Sequence, residues 1–549
     1  MMPPGTPETL KEARGWMNDC IANHPKCGQG GSTRLPARLV QISPPGEPAW
    51  ARVRESAGEY GQYCALSYCW GRDQEHKTLI SCYGQYKNAL PYSKLPKTIT
   101  DAFHVARSMG MMYIWVDSLC IIQDDRQDKE REMSQMMSIY QKAHFTISAA
   151  STSDVTEGFL RAPSELGGIS HLGPYYHPLQ VSEDQIGSVV ITPARRGHEP
   201  INKRGWSLQE SLLTPRLLVF TDHMTVWKCH GGFQPKHYVP LNRHHFEPSY
   251  KTNKWDRWYE ASGYIMNTQG VLVSEEDQTP VLNAPITEEF PHSSQGLIHS
   301  SFWHSIVNQY TKRNLSENRD RLPAISAIAQ ALSPLFQCNY YAGLWDRDLV
   351  AGLAWHVEHL SRLPSSKSAA GPSWSWATVV GRSCVHIDTQ PFTIRAEVIS
   401  CKTTPVSETN PYGEVAGGEL VIRGHLQQVR VVRRTAIVGC MFDGFGQKYE
   451  GSCFHDDEIL STPQDPVAVR RYDGEQGLME DAWCLTLVDS AHNASGDSET
   501  DFNTVAMIVI VKVDEGKGPF YKRVGFAWAE VQQAPYWWEA SGRETVTII

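Results

Sequence analysis

The sequence predicts an α/β domain on a mainly parallel sheet, then a helix-rich middle segment, then a β-rich C-terminal region. Three observations predict this. Short apolar runs of strand type alternate with stretches of helical period from about residue 60 to residue 230. Helical and tryptophan-rich patterning marks about 300–380, and from residue 395 β-type runs are separated by polar stretches. Alternation of the first kind implies right-handed βαβ units with helices on both sheet faces.

The elements follow in order. Residues 1–55 read as an N-terminal extension: a short helix, then a Gly-, Ser- and Pro-rich loop from Gly28 to Pro48. Tyr63–Tyr68 (YCALSY) is a strand. Thr98–Met109 places Ile99, Ala102, Phe103, Ala106 and Met109 at helical spacing, with Gly110 as a stop. Met111–Val116 (MMYIWV) is the next strand. Asp128–Lys142 continues the helical period through Met133, Met136, Met137 and Tyr140, and His144–Ala149 is a third strand. Trp206–Leu213 reads as helix, and Arg216–Phe220 and Thr225–Cys229 as strands. A break at Arg362–Pro372 precedes Trp374-Ser375-Trp376, an alternating aromatic pair of the kind that packs both faces of a strand. GELVIRGHL, AWCLTLV, TVAMIVIVKV and FYKRVGFAWAE are strands of the last region.

The bulk numbers exclude several classes. At 549 residues the chain exceeds one compact core. A content of 41% hydrophobic and 20% charged residues is that of globular protein. A net charge of -9 gives no basic footprint, so no nucleic-acid partner is expected. The N-terminal stretch lacks the basic-then-apolar signal-peptide pattern, and the most apolar run, Val505–Val511, is too short for a membrane span. Thirteen irregularly spaced cysteines fit free thiols in a reducing compartment. A cytoplasmic location is therefore expected.

In an open α/β sheet, ligands sit beyond the carboxyl ends of the strands. Ser67, Tyr68, Trp70 and Gly71 follow the first strand. Asp117, Ser118 and Cys120 follow the second, and Ser148 and Ser151 end the third. Each alone is an ordinary loop entry; as a set they are expected to converge on one sheet edge.

Three blocks carry a family resemblance: Ala65–Gly71 (ALSYCWG), Leu95–Ser151, and Arg204–Phe220 (RGWSLQESLLTPRLLVF). In order and approximate spacing they closely resemble the signature blocks of the fungal HET (heterokaryon incompatibility) domain. Asp320–Pro323 (DRLP), Ala342–Trp345 (AGLW), Pro372–Ala377 (PSWSWA) and Tyr521–Gly525 (YKRVG) are similar to downstream regions of the same family. The resemblance implies a role in non-self recognition and cell death when unlike hyphae fuse. It places a HET domain at 60–230, a family-typical helix-rich extension at 231–380 and the β-rich region at 395–549.

Trp206-Ser-Leu-Gln-Glu210 is the sharpest chemical feature. A carboxylate one helical turn after a Trp shares its helix face, and an apolar wall limits its hydration. With LSYCWG after the first strand, it resembles the NAD-cleaving site of the TIR domain, which implies a TIR/flavodoxin-like sheet and NAD glycohydrolase chemistry. Glu210 would then stabilise an oxocarbenium-like state. Ser67, Tyr68, Trp70, Gly71, Asp117, Ser118, Arg204 and Trp206 would bind the nucleotide, with Trp70 or Trp206 stacking on a ring. The alternative role for Glu210 is a helix salt bridge with Arg204 or Arg216. Arg204 is otherwise a phosphate contact, and Asp117 a ribose ligand or a loop anchor.

Other candidates are weaker. Cys120 has no visible His partner and reads as a buried, inert thiol. Asp124 and Asp125 suit a helix N-terminus. Cys20, His24 and Cys27 lie close enough for part of a zinc site, but no fourth ligand is visible nearby, so no metal is assigned. His230, His244 and His245 read as surface. No GxxxxGK[ST], HExxH, GxSxG or strand-following GxGxxG occurs. No cofactor is expected; NAD or a related nucleotide is the implied substrate, and a protein partner or homo-oligomer the implied assembly. Two other readings of function stay open: a non-catalytic signalling or interaction module, and an accessory protein of a metabolic gene cluster.

Overall fold

The computed structural model describes residues 5–71, 73–161, 175–182, 185–191, 199–221, 225–229, 232–234, 264–266, 272–274, 303–304, 306–357, 371–378, 383–385, 392–435, 438–442, 448–451, 454–455, 469–471, 478–480, 482–492, 502–514, 519–531 and 542–549. The chain forms two compact units, Met1–Pro285 with Gln330–Leu335, and Ile286–Ala329 with Phe336–Ile549. No helix among the described residues is long and apolar enough to cross a membrane.

The first unit opens with helix α1 (Pro7–Asn23), whose Thr6 cap accepts from the Thr9 N–H, and two strands, β1 (Arg38–Ile42) and β2 (Ala51–Glu55). Strand β3 (Cys64–Ser67) leads through helices α2 (Ile80–Asn88) and α3 (Lys97–Ser108) to β4 (Tyr113–Trp115). The short helix α4 (Asp117–Cys120) and helices α5 (Arg126–Ser134) and α6 (Met136–Lys142) precede β5 (Phe145–Ala149). Helix α7 (Ser207–Leu213) and strands β6 (Arg216–Phe220), β7 (Thr225–Cys229) and β8 (Gly232–Gln234) complete the sheet.

Eight strands lie in the order β8-β7-β6-β5-β3-β4-β1-β2. The strands expected near 63–68, 112–117 and 144–149 are adjacent and parallel, with β3 between β4 and β5. Strand β6 also runs parallel to β5. The remaining pairings, β6 with β7, β7 with β8, β4 with β1 and β1 with β2, are antiparallel. The sheet is therefore mixed, parallel at its centre and antiparallel at both edges, rather than mainly parallel. The centre is parallel because its connections are helical crossovers, whereas a four-residue gap between β6 and β7 can only form a hairpin.

Three local expectations are corrected. The segment Gly28–Pro48 is not all loop: Leu39, Val40 and Ile42 of β1 are fully buried against the sheet. The Pro and Gly residues around so short an apolar run hid it. The helix expected over Asp128–Lys142 breaks at Gln135 into α5 and α6. Trp374-Ser375-Trp376 forms a tight turn, not a strand; both indoles are wholly buried, and the Trp376 N–H donates to the Gly343 carbonyl at 2.9 Å. By contrast α3 buries Ile99, Ala102, Phe103 and Ala106, the spacing read from sequence, and Gly110 follows it at φ +85.

In the second unit, β9 (Glu397–Pro405) pairs with the long β10 (Val415–Thr435). Strands β11 (Ala482–His492), β12 (Phe502–Asp514), β13 (Pro519–Val531) and β14 (Arg543–Ile548) follow. Pairings run from β10 through β11, β12, β13 and β14 and return to β10, closing a barrel that leaves none of these five strands as a free edge. Val505–Val511 lies within β12, its Val and Ile side chains all buried. The described residues of the middle segment include the helix Pro323–Phe336 and the short helix Leu349–Gly352; His230, His244, His245 and most of Arg362–Pro372 lie outside the described residues.

Candidate functional site: the carboxyl ends of the central strands

Strand β3 ends at Ser67, whose hydroxyl donates to Glu210 Oε2 on α7. Both side chains are withdrawn from water, Glu210 being 3% exposed. Trp206 stands at the start of α7, half-buried, and its carbonyl accepts from the Glu210 N–H at 3.5 Å, the one-turn relation expected. Tyr68, fully buried, donates to Ser118 Oγ at 2.8 Å and accepts from Gln74 Nε2 at 3.1 Å. Burial raises its phenol well above the ordinary value, so it works as a neutral hydrogen-bonding group.

Half-buried Trp70 donates its indole N–H to Asp117 Oδ2 at 2.8 Å, joining the ends of β3 and β4. Asp117 Oδ1 accepts the Ser118 N–H at 2.6 Å, within the first turn of α4. Desolvation raises the Asp117 carboxyl above the ordinary aspartate value, although Arg204 pulls the other way. Arg204 itself stays charged: burial works against it, but Glu210 and then Asp117 outweigh that cost and raise its affinity for the proton. One guanidinium thus acts on two carboxylates, Glu210 of α7 and Asp117 at the end of β4. Gly71 adopts φ +70, and a Cβ there would lie 2.8 Å from the Asp154 Cα; only glycine lets the two loops approach this closely.

Hydrogen bonds join these residues in linked groups, Ser67 with Glu210, and Trp70 with Asp117, Asp117 with Ser118 and Ser118 with Tyr68, while the charge of Arg204 acts on both acids. Other candidates fall elsewhere. Cys120 is wholly buried and its thiol is pushed up to about 12 by desolvation, which disfavours the thiolate. Asp125 caps α5, accepting from the N–H groups of Gln127 and Asp128, while Asp124 accepts from the Ile80 N–H at the start of α2. Sequence reasoning missed two residues. Gln74 lies in a loop without any pattern. Gln209, 1% exposed, has both amide atoms buried without a hydrogen-bond partner; its position beside Glu210 was the available signal.

No curated protein and no solved structure matches the chain. A model of the family described as Heterokaryon incompatibility protein (HET) matches residues 63–210, from the residue before β3 to Glu210 itself. The chain therefore carries a HET domain, the domain of heterokaryon incompatibility proteins, over residues 63–210.

Proposed function

We propose that this protein is a heterokaryon-incompatibility effector whose HET domain cleaves the nicotinamide–ribose bond of NAD or a closely related nucleotide. The supporting observation is the burial of Glu210 at the carboxyl end of the central parallel strands, beside Ser67 and within the field of Arg204. As the C1′–N bond breaks, its electron pair leaves with nicotinamide and positive charge develops on the ribose. A preorganised carboxylate in a dry site stabilises that charge. Water then adds to C1′ and loses a proton, giving nicotinamide, ADP-ribose and H⁺. Arg204 offers a phosphate contact, and half-buried Trp70, bonded to Asp117, an aromatic surface.

One observation favours a second reading. Arg204, balanced between Glu210 and Asp117, is also the arrangement of a structural ion network in a non-catalytic interaction module. Glu210→Gln separates the two. With melting temperature matched to the parent, the catalytic reading expects nicotinamide release to fall roughly 10²–10³-fold and cell killing to be lost. Unchanged killing by the folded variant, or no nicotinamide release by the parent protein, overturns it.

A further inference from the structure

Four metal-ligating side chains outside the matched HET span meet at the edge of the first unit. Cys20, His24, Cys27 and Cys229 place their ligand atoms all within 4.8 Å of one another. His24 Nδ1 faces Cys229 Sγ at 3.3 Å, across 205 residues of sequence. Cys20 and Cys27 are fully buried, His24 and Cys229 half-buried, and all three cysteines are free thiols.

Local structure delivers each ligand. Cys20 lies in the last turn of α1. His24 ends that helix, its N–H donating to the Cys20 carbonyl at 3.1 Å. A tight turn over Pro25–Cys27 then swings Cys27 back, closed by the Cys27 N–H to the His24 carbonyl at 3.0 Å. Cys229 is the last residue of β7, paired in register with Arg216 of β6. The fourth ligand is invisible in sequence because only the fold brings the end of β7 to the end of α1.

We propose that Cys20, His24, Cys27 and Cys229 bind one structural Zn²⁺. Three thiolates and an imidazole are the soft donor set that zinc takes, and tetrahedral thiolates 2.3 Å from zinc stand about 3.8 Å apart, the scale of this cluster. Four protein ligands leave no open position, so the ion is structural rather than catalytic. Its net charge with three thiolates is negative, and the buried Arg216 guanidinium beside it supplies the balance while donating to the Cys27 carbonyl at 2.7 Å. The ion ties α1 to β7, fastening the chain that precedes the HET domain to the strand that follows it.

The full-length chain, purified under reducing conditions with zinc supplied, is expected to contain about one zinc per molecule by elemental analysis. Co²⁺ in its place should show intense visible bands of tetrahedral geometry and a thiolate charge-transfer band. Cys229→Ser and Cys20→Ser should lose the metal and melt at lower temperature. Cys229→His, which keeps a ligand, should retain the metal with an altered cobalt spectrum and so controls for misfolding. Cys82→Ser, outside the cluster, should keep full stoichiometry. A zinc-free chain of unchanged melting temperature, an octahedral cobalt spectrum, zinc retained by Cys229→Ser, or a disulfide among these cysteines in the reduced protein each overturns the proposal.

Discussion

The Arg38 guanidinium lies 2.5 Å from Asp128 and 3.3 Å from Glu132, with all three side chains almost excluded from water. Arg38 comes from β1, the strand between β4 and the edge strand β2, and its Nε also donates to the Cys120 carbonyl at 2.6 Å. Asp128 accepts the Ile122 N–H at 2.8 Å, so the network ties β1 to the chain after β4 and to α5. Burial opposes the charge on Arg38, but its hydrogen bond to Asp128 and the charge of Glu132 raise its proton affinity overall.

Arg38→Met should therefore be severe, because it removes the buried cation from two buried carboxylates and leaves them only the largely exposed Arg131; a loss of up to about 3–5 kcal/mol is expected from denaturant unfolding at neutral pH. The deficit should shrink as pH falls. Desolvation already raises the Glu132 carboxyl above its ordinary value, and without Arg38 it rises further. The folded variant then binds protons more readily than the unfolded chain, so its stability is lost as pH rises through the raised value and regained below it. A pH-independent deficit would mean that packing, not charge, is the cause.

Ser67 and Glu210 should be energetically coupled. Removing the hydroxyl in Ser67→Ala costs Glu210 a donor in a buried setting, about 1–3 kcal/mol. A double-mutant cycle with Glu210→Gln should return an interaction energy of roughly 0.5–3 kcal/mol by denaturation. Strict additivity of the two single changes would place the carboxylate elsewhere in solution.

How much of this was legible in the sequence depended on range. The central strands and α3 were readable because their apolar spacing is strong, and the strand-end rule then nominated Ser67, Trp70 and Asp117. Strand β1 was not, because five residues between prolines carry little periodic signal, and its partner Tyr113–Trp115 is distant in sequence. Antiparallel edges were equally hidden, since strand direction follows from connections that pattern alone does not resolve. Arg204 near Glu210 could be guessed from six residues of separation. Arg204 near Asp117, and Cys229 near Cys20, could not, because only tertiary folding makes them neighbours.

Cys120 and Cys69 should resist alkylation. Burial pushes the Cys120 thiol up to about 12 and the Cys69 thiol up to about 11. Since the thiolate is the reactive form, at pH 8 only about 10⁻⁴ of Cys120 and 10⁻³ of Cys69 is ionised, and burial slows access further. Mass spectrometry after brief iodoacetamide treatment of the native protein should find both unmodified, with half-buried Cys82 labelled before either. Early labelling of Cys120 would revive it as a nucleophile.

Gly71→Ala tests whether the loop after β3 is held by backbone geometry. The residue sits at φ +70, where an L side chain costs roughly 1–2 kcal/mol. The new Cβ would also stand 2.8 Å from the Asp154 Cα, a backbone atom that cannot rotate away. Asp154 is itself fixed, accepting from the Thr156 N–H at 2.9 Å and from its hydroxyl at 2.7 Å, while the Val155 N–H donates to the Trp70 carbonyl at 3.3 Å. The strain therefore passes to Trp70 and to its hydrogen bond with Asp117. A lower melting temperature and a shift in Trp70 fluorescence are expected, the latter read against a Trp70→Phe control. Asp154→Gly in the same chain would leave the Cα in place and should not rescue stability, whereas rescue would show that the carboxylate alone makes the clash.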